Sequence, residues 1–348
     1  MTKQLHIKNH YVPECYLKRW ESSEGKVFVY RTLVNHPNVP IWKSHFVSSI
    51  AYQKHLYTQI ISGHESDELE MWLDREFESP ANEVLDKAAL ESQLNTLDWE
   101  VLIKFLSAQD VRTPARLYEY IQRAQKYLPG TLQNVMNDLH VKLSNGDVSE
   151  LTREGESSVR ESFPLKVTTH IEEGSDTGFL KAETYTGRGT WIHSIKHLLE
   201  NTSKILHTHK WSIVKPALGY FWPTSDNPVV KLNYYSPGKY DLKGGWGVKK
   251  GNIFFPIDPE HAMFVQIGDK PMKKNTRLSE NQTKEFIKFV VENSHRKIFS
   301  HSEASSLPRL RERIVDPDRL TRENNEMKEW HRLNAKMERE YSASRRNT

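Results

Sequence analysis

Cys15 is the only cysteine in this 348-residue chain. That excludes an intramolecular disulfide and any thiolate zinc site, and it agrees with a reducing compartment. Long hydrophobic runs are missing as well. No stretch approaches the roughly 20 apolar residues of a membrane span, and the opening MTKQLHIKNH lacks the apolar centre of an export signal. A cytoplasmic protein with no membrane partner is expected. Charge of one sign is scarce: 49 basic residues stand against 45 acidic ones, a net of +4. Bulk charge therefore names no partner, and nucleic-acid binding would require the cations to gather on one face. Local basic gathering shows in GVKKGN near 250 and in the last forty residues. Phosphate-loop and dinucleotide fingerprints are absent, as is a nucleophile elbow. His193 and His197 stand four apart in HSIKH, but the glutamate of the zincin pattern is missing between them.

Aromatic rings are plentiful, with nine Trp and fourteen Tyr, so the core is expected to be built on large rings. A mean hydropathy of -0.70 implies a well-solvated exterior. The chain reads as β, then helical, then β. KVFVYRT at 26–32 alternates apolar and polar residues, and IWKSHFVSSIAYQKHLYT continues the β pattern. From Glu65, residues Leu69, Trp72, Leu73, Phe77, Val84 and Leu85 fall at helical spacing, with a break at Pro80. Another helix is expected from an N-cap at Thr96 to a break at Pro114. Helices around 131–144 and 148–162, a loop at EEGSDTG and a helix in TWIHSIKHLLENTSKIL complete the middle. KWSIVKP, ALGYFWPTSDNPVVKL, NIFFPIDP and HAMFVQI then read as short strands, followed by a capped helix in SENQTKEFIKFVVENSH and a last strand in RKIFSHS. This order predicts an α+β fold, with a mixed or antiparallel sheet drawn from both ends of the chain around a helical middle. A single domain over 1–305 is expected, its helical insertion at about 65–206, followed by a charged helical or partly disordered tail over 306–348.

Four segments carry chemistry. In YFWPTSDNPVV, Ser225, Asp226 and Asn227 precede Pro228, a pattern that makes a turn and can also present polar groups at a strand end. FFPIDPEH places Asp258 similarly, and two such carboxylates brought together would suit a divalent cation such as magnesium. FLSAQDVRTPAR sets Gln109, Arg112 and Arg116 on one helical face, where they could grip an anion or pair with the acidic face of Asp67, Glu70 and Asp74. NHYVPECYLKRW crowds His10, Tyr11, Pro13, Tyr16 and Trp20 together. Such a segment either anchors the N-terminal end or holds an imidazole with a perturbed pKa.

NHYVPECYLKRW, the Gln-then-Arg helix, TSDNPVV followed by FFPIDP, and the closing KIFS occur in the order of the family catalogued as domain of unknown function 4238. The chain resembles that family over roughly residues 9–300. Ile257 stands where the family has Leu, and Cys15 precedes Tyr16. The resemblance implies a bacterial protein with a role in anti-phage defence as a toxic effector. On that footing the expected activity is a hydrolase, a nuclease with RNA as a candidate substrate. His10 would act as acid or base, Asp226 with Asn227 would hold a metal or orient water, Arg112 would steady phosphoryl charge and Gln109 would position substrate. Tyr11, Tyr16, Arg116 and Ser225 would contact substrate, and Asp226 with Asp258 would hold the cation.

Two alternatives stand beside this. One is a non-catalytic binding or sensor module for nucleic acid or a phage component, which predicts motif residues buried against one another and Lys and Arg on a separate surface. The other is a buried polar network that fixes helices on the sheet.

Overall fold

Strands from the two ends of the chain meet in one sheet. The computed structural model describes residues 5–61, 63–145, 165–171, 178–184 and 186–346. The N-terminal part contains β1 (Lys8–His10), a helical turn α1 (Glu14–Leu17), β2 (Lys26–Arg31), β3 (Leu33–Val34), β4 (Trp42–Phe46), β5 (Tyr52–Lys54), β6 (Gln59–Ile61) and β7 (His64–Ser66). Helices follow: α2 (Glu68–Leu73), running into a π-helical turn at Asp74–Glu78, then α3 (Ala81–Ala89), α4 (Thr96–Val111) and α5 (Pro114–Ser144). A hairpin of β8 (Leu165–Ile171) and β9 (Gly178–Thr184) and helix α6 (Arg188–Glu200) complete the middle.

The C-terminal part has β10 (Ser212–Lys215), β11 (Thr224–Ser225), β12 (Val230–Ser236), β13 (Lys239–Asp241), β14 (Gly251–Pro256), β15 (Ala262–Gln266) and β16 (Thr276–Arg277). After these come α7 (Glu280–Asn293), β17 (Lys297–Ser300), α8 (Leu307–Leu310), β18 (Ile314–Val315) and α9 (Pro317–Arg346). A six-stranded sheet runs β13-β12-β14-β15-β10-β16, and a four-stranded antiparallel sheet runs β11-β17-β2-β4. Only the β10–β16 contact in the larger sheet is parallel. The fold is α+β, with strands at both ends and helices between them.

Rings dominate the interior. Trp20, Trp191, Trp222, Tyr16, Tyr30, Tyr57, Phe105, Phe254, Phe255 and Phe289 are among the largest fully buried side chains. Tyr16 explains why the N-terminal segment is so aromatic: its ring stacks on Phe255 at 5.2 Å, and its hydroxyl donates to the Pro256 carbonyl at 2.7 Å. The indole of Trp20 donates to the Trp222 carbonyl at 2.8 Å. Two rings thus tie the start of the chain to segments more than 200 residues later.

Several local expectations shift. The N-cap of α4 is Asn95, one residue before Thr96, because Asn95 and Asp98 exchange two 2.9 Å bonds with each other's N–H in a capping box. The break at Pro114 separates α4 from α5, whereas Pro129 lies inside α5, so 114–144 is one helix. The β8–β9 hairpin flanks the expected EEGSDTG loop, in a stretch where no strand is expected; the helix expected at 148–162 and most of that loop lie outside the described residues. The expected tail is helical but not merely exposed: α9 lies on the body and buries Asn334, Ala335 and Glu338. Polar anchors stand beside the apolar contacts of Met327 and Trp330. Glu338 accepts from Arg188 Nη2 at 2.6 Å and from the Ile60 N–H at 2.8 Å, and Asn334 accepts from the Arg188 N–H at 2.6 Å.

Candidate functional site

Three of the four segments singled out by sequence converge on the elbow between α4 and α5, and FFPIDPEH does not. Arg112, the C-terminal cap of α4, is fully buried. Its Nη2 donates to the His10 carbonyl at 3.0 Å, its Nε to the Tyr11 carbonyl at 3.3 Å, and its Nη1 to Glu78. Tyr57 donates to the Arg112 carbonyl at 2.6 Å. Next along the elbow, Thr113 bonds Asn227 Oδ1 at 3.3 Å. Asn227 and Asn293 donate from each side-chain amide to the other's main-chain carbonyl, at 2.9 and 2.7 Å. Ser225 Oγ accepts the Asn227 N–H at 3.2 Å. The Gln109 side chain is fully enclosed on α4.

Asp226 is a turn-former of unusual strength. Its Oδ1 accepts the His295 N–H at 2.7 Å, and its Oδ2 accepts those of Arg296 and Lys297 at 2.7 and 2.9 Å. Charge-assisted bonds of this kind lock the turn after β11 to the stretch between α7 and β17. Asp258 is committed as well: Oδ1 accepts the N–H groups of Glu260 and His261 at 2.7 and 2.8 Å, and the carboxylate faces His261 Nδ1 at 3.0 Å. The expectation that Asp226 and Asp258 jointly hold a metal is therefore corrected. Main-chain amides occupy both carboxylates, and neither joins the one group of three potential ligands found among the described residues, His55, Glu65 and His331. That group is itself a poor cation site. Its two imidazoles stack at 4.1 Å, Arg188 Nη1 sits 2.8 Å from His331 Nδ1, and Glu65 lies 2.9 Å from Nε2. A guanidinium donor fixes His331 as the tautomer that donates to Glu65, leaving no lone pair for a metal.

His10 sends its imidazole away from the elbow, 3.4 Å from Glu14 and 5.6 Å from the Tyr52 ring. Burial holds its pKa below the usual value, with Glu14 opposing and Arg112 assisting. Nearby Glu70 is pushed up to about 8 by burial and by Glu78, against the pull of Arg112. Tyr16, expected to touch substrate, is instead fully buried in the core. Tyr11 is buried, with its hydroxyl 3.2 Å from Lys297 Nζ.

A cavity of about 760 Å³ lies on the other side of the elbow. Its floor is Asp110, which is buried and receives Lys231 Nζ at 2.5 Å, Trp246 Nε1 at 2.7 Å and Arg116 Nη2 at 3.0 Å. Burial alone would raise the Asp110 carboxyl, but Lys231 and Arg116 hold it below the ordinary value. Burial draws the Lys231 ammonium down against the pull of Asp110. Its walls bring exposed Arg123, Lys126, Tyr127 and Lys243 together with Tyr120, Trp191 and Trp246. Gly244 is required here, since a Cβ would stand 2.6 Å from the Leu232 nitrogen.

Arg116 is the one residue expected to touch substrate that lines this cleft. Asp110, Lys231 and Trp246 are missed by sequence reasoning because they are 121 and 136 positions apart. The KGGWGVKKGN stretch holds their nearest signal, glycines and cations around a Trp, without the spacing of a phosphate loop.

A family model described as protein of unknown function (DUF4238) matches residues 8–304. No curated protein and no solved structure matches the chain.

Proposed function

The chain belongs to the DUF4238 family, and we propose that it is a binding module for single-stranded nucleic acid, seated in the cleft above Asp110. One observation carries this reading. The motif residues Arg112, Asp226 and Asn227 are buried and bonded to one another's segments, while five cations against two carboxylates line a separate cleft walled by aromatic rings. Cations tracking a backbone beside rings that stack bases are what sequence-tolerant single-strand binding requires. The ion-paired floor holds Arg116 and Lys231 in place, and the exposed rim of Arg123, Lys126 and Lys243 is free to meet phosphates.

The test is fluorescence anisotropy with labelled single-stranded RNA and DNA oligonucleotides. Wild type is expected to bind with a log-log salt slope that falls by about 1 for each rim cation removed, and an Arg123→Glu/Lys126→Glu double variant to bind at least about tenfold more weakly. Equal binding by the double variant, or none by wild type at low salt, would remove the reading. We place this binding in anti-phage defence, the setting that the family resemblance implies. Plaque counts at matched expression should show protection that the double variant loses; equal protection would break the link between cleft and defence.

A catalytic reading has one observation in its favour: the Glu70 carboxyl, pushed up to about 8, accepts from the main-chain N–H of His10, whose imidazole burial holds below its ordinary value. RNA degradation that needs both side chains, tested with Glu70→Gln and His10→Ala, would establish it.

A further inference from the structure

A second cavity, about 330 Å³, lies beneath α9 and shares no lining residue with the cleft above Asp110. Its wall carries an uncommon arrangement. Lys297 on β17 and Arg31 on β2 are directly opposite partners in the antiparallel ladder, so their side chains leave the sheet on the same face, and both line the cavity. Like charges facing each other across a ladder destabilise a sheet. Among the described residues neither cation has a carboxylate oxygen within 4.0 Å. Lys297 Nζ has only the Tyr11 hydroxyl at 3.2 Å, above whose ring it lies at 5.8 Å. Asp226 is the nearby carboxylate on the same wall, but both of its oxygens are taken by the N–H groups of 295–297. The neighbouring Arg296 is neutralised by Glu323 of α9, with contacts at 2.7 and 2.8 Å. The wall thus sets Arg31 and Lys297, neither of them ion-paired, against the single charge of Asp226, which the neutral amides hold but do not cancel.

The rest of the cavity suits a ring. Tyr11, Tyr52 and Tyr118 face it, and Leu320 and Met327 of α9 close it above. Its volume falls at the lower end of the ~300–1,000 Å³ usual for small-molecule sites. A third cavity, of about 570 Å³, adjoins it through Tyr52, Gln53, Lys297 and Met327.

We infer that the cavity beneath α9 binds a small phosphate monoester, its phosphoryl oxygens bridging Lys297 Nζ and Arg31 and its apolar or ring-bearing body lying among Tyr11, Tyr52 and Tyr118. Neither cation has an ion-pair partner of its own, so both can turn to a phosphoryl group, and a planar guanidinium offers it two parallel donors. This site stands independently of the nucleic-acid reading, because no side chain serves both.

The test uses the full chain in thermal melts with inorganic phosphate and phenyl phosphate, against chloride at matched ionic strength. A ligand that binds only the folded chain raises the melting temperature with concentration. Wild type is expected to show that rise, larger with phenyl phosphate. Arg31→Gln, at an exposed position where folding is not at stake, should reduce the rise by half or more, and Lys297→Met should abolish it. The Arg123→Glu/Lys126→Glu cleft variant should keep it in full. No rise in wild type overturns the site, as does an undiminished rise in Arg31→Gln. A rise lost only in the cleft variant would assign the phosphate to the cleft instead.

Discussion

The guanidinium of Arg112 donates to the main-chain carbonyl of His10 at 3.0 Å, so these two motif residues meet through backbone and not through the imidazole. The same guanidinium takes the Tyr11 carbonyl and the Glu78 carboxylate. Arg112 is therefore a clasp that holds the N-terminal segment against the α4–α5 elbow, with its charge already spent on Glu78.

Removing that clasp leaves a carboxylate and two carbonyls facing an enclosed gap. Arg112→Met is expected to cost about 3–5 kcal/mol, the range for breaking one side of a buried ion pair. Arg112→Lys should recover little, since one ammonium cannot reach three acceptors held by a planar fork. Urea unfolding measures both, and a loss below about 1 kcal/mol for either would contradict the clasp.

Asp226 is expected to behave as a structural residue. Asp226→Ala strips the acceptors from three N–H groups, and Asp226→Asn keeps the shape but loses the charge and one acceptor. The alanine variant should lose at least about 3 kcal/mol and the asparagine variant less, from values of roughly 1.5–3 kcal/mol for a bond to a charged group. Oligonucleotide affinity of whatever remains folded should equal that of wild type. Full stability with lost affinity would reverse the assignment.

Glu70 supplies a pH signature. Its carboxyl is held at about 8, far above its ordinary value of 4.5, mainly by burial. The folded chain keeps this proton through a range where the unfolded chain has released it. The stability contributed by Glu70 is thus full below about pH 4.5 and is lost as pH rises through about 8. Glu70→Gln has no proton to lose. Subtracting its stability curve from that of wild type should leave a fall across that window, with the variant the more stable above pH 8. A flat difference curve would show that Glu70 ionises freely.

The last helix is fastened by one buried ion pair, Arg188 with Glu338 at 2.6 Å, supported by the Trp330 indole on the Leu56 carbonyl at 3.1 Å. Glu338→Ala leaves Arg188 enclosed without its partner, so hydrogen exchange across 317–346 should speed up by about tenfold or more while strands β14 and β15 keep their protection. Unchanged exchange in the helix would mean that its other contacts suffice.

Periodicity and ring content made much of the architecture legible. KVFVYRT, NIFFPIDP and HAMFVQI are strands because apolar residues in them face a sheet interior, and that pressure is local. The segment around Tyr16 and Trp20 reads as an anchor for the same reason: large rings that close to one another leave water. The β8–β9 hairpin was less legible, because LKVTTHI and GFLKAET are short and half polar. The docking of α9 was hard to read, since Met327, Trp330 and Ala335 are sparse along a charged helix and Asn334 and Glu338 look solvated until Arg188 is placed beside them.

The candidate sites divide along the same line. By itself the sequence determined which segments make turns and caps, and that Arg112, Asp226 and Asn227 lie in strongly structured stretches. It could not determine whether those groups are spent on partners or left open to a ligand. A buried carboxylate binds a metal, an amide or an ammonium according to what the chain brings within about 3 Å of it. Asp226 received the three amides of 295–297, Asp110 received Lys231 from a strand 121 positions away, and Lys297 received Arg31 as its neighbour without an ion-pair partner. Those assignments belong to tertiary structure because hydrogen bonds and ion pairs are short-ranged in space and indifferent to separation along the chain.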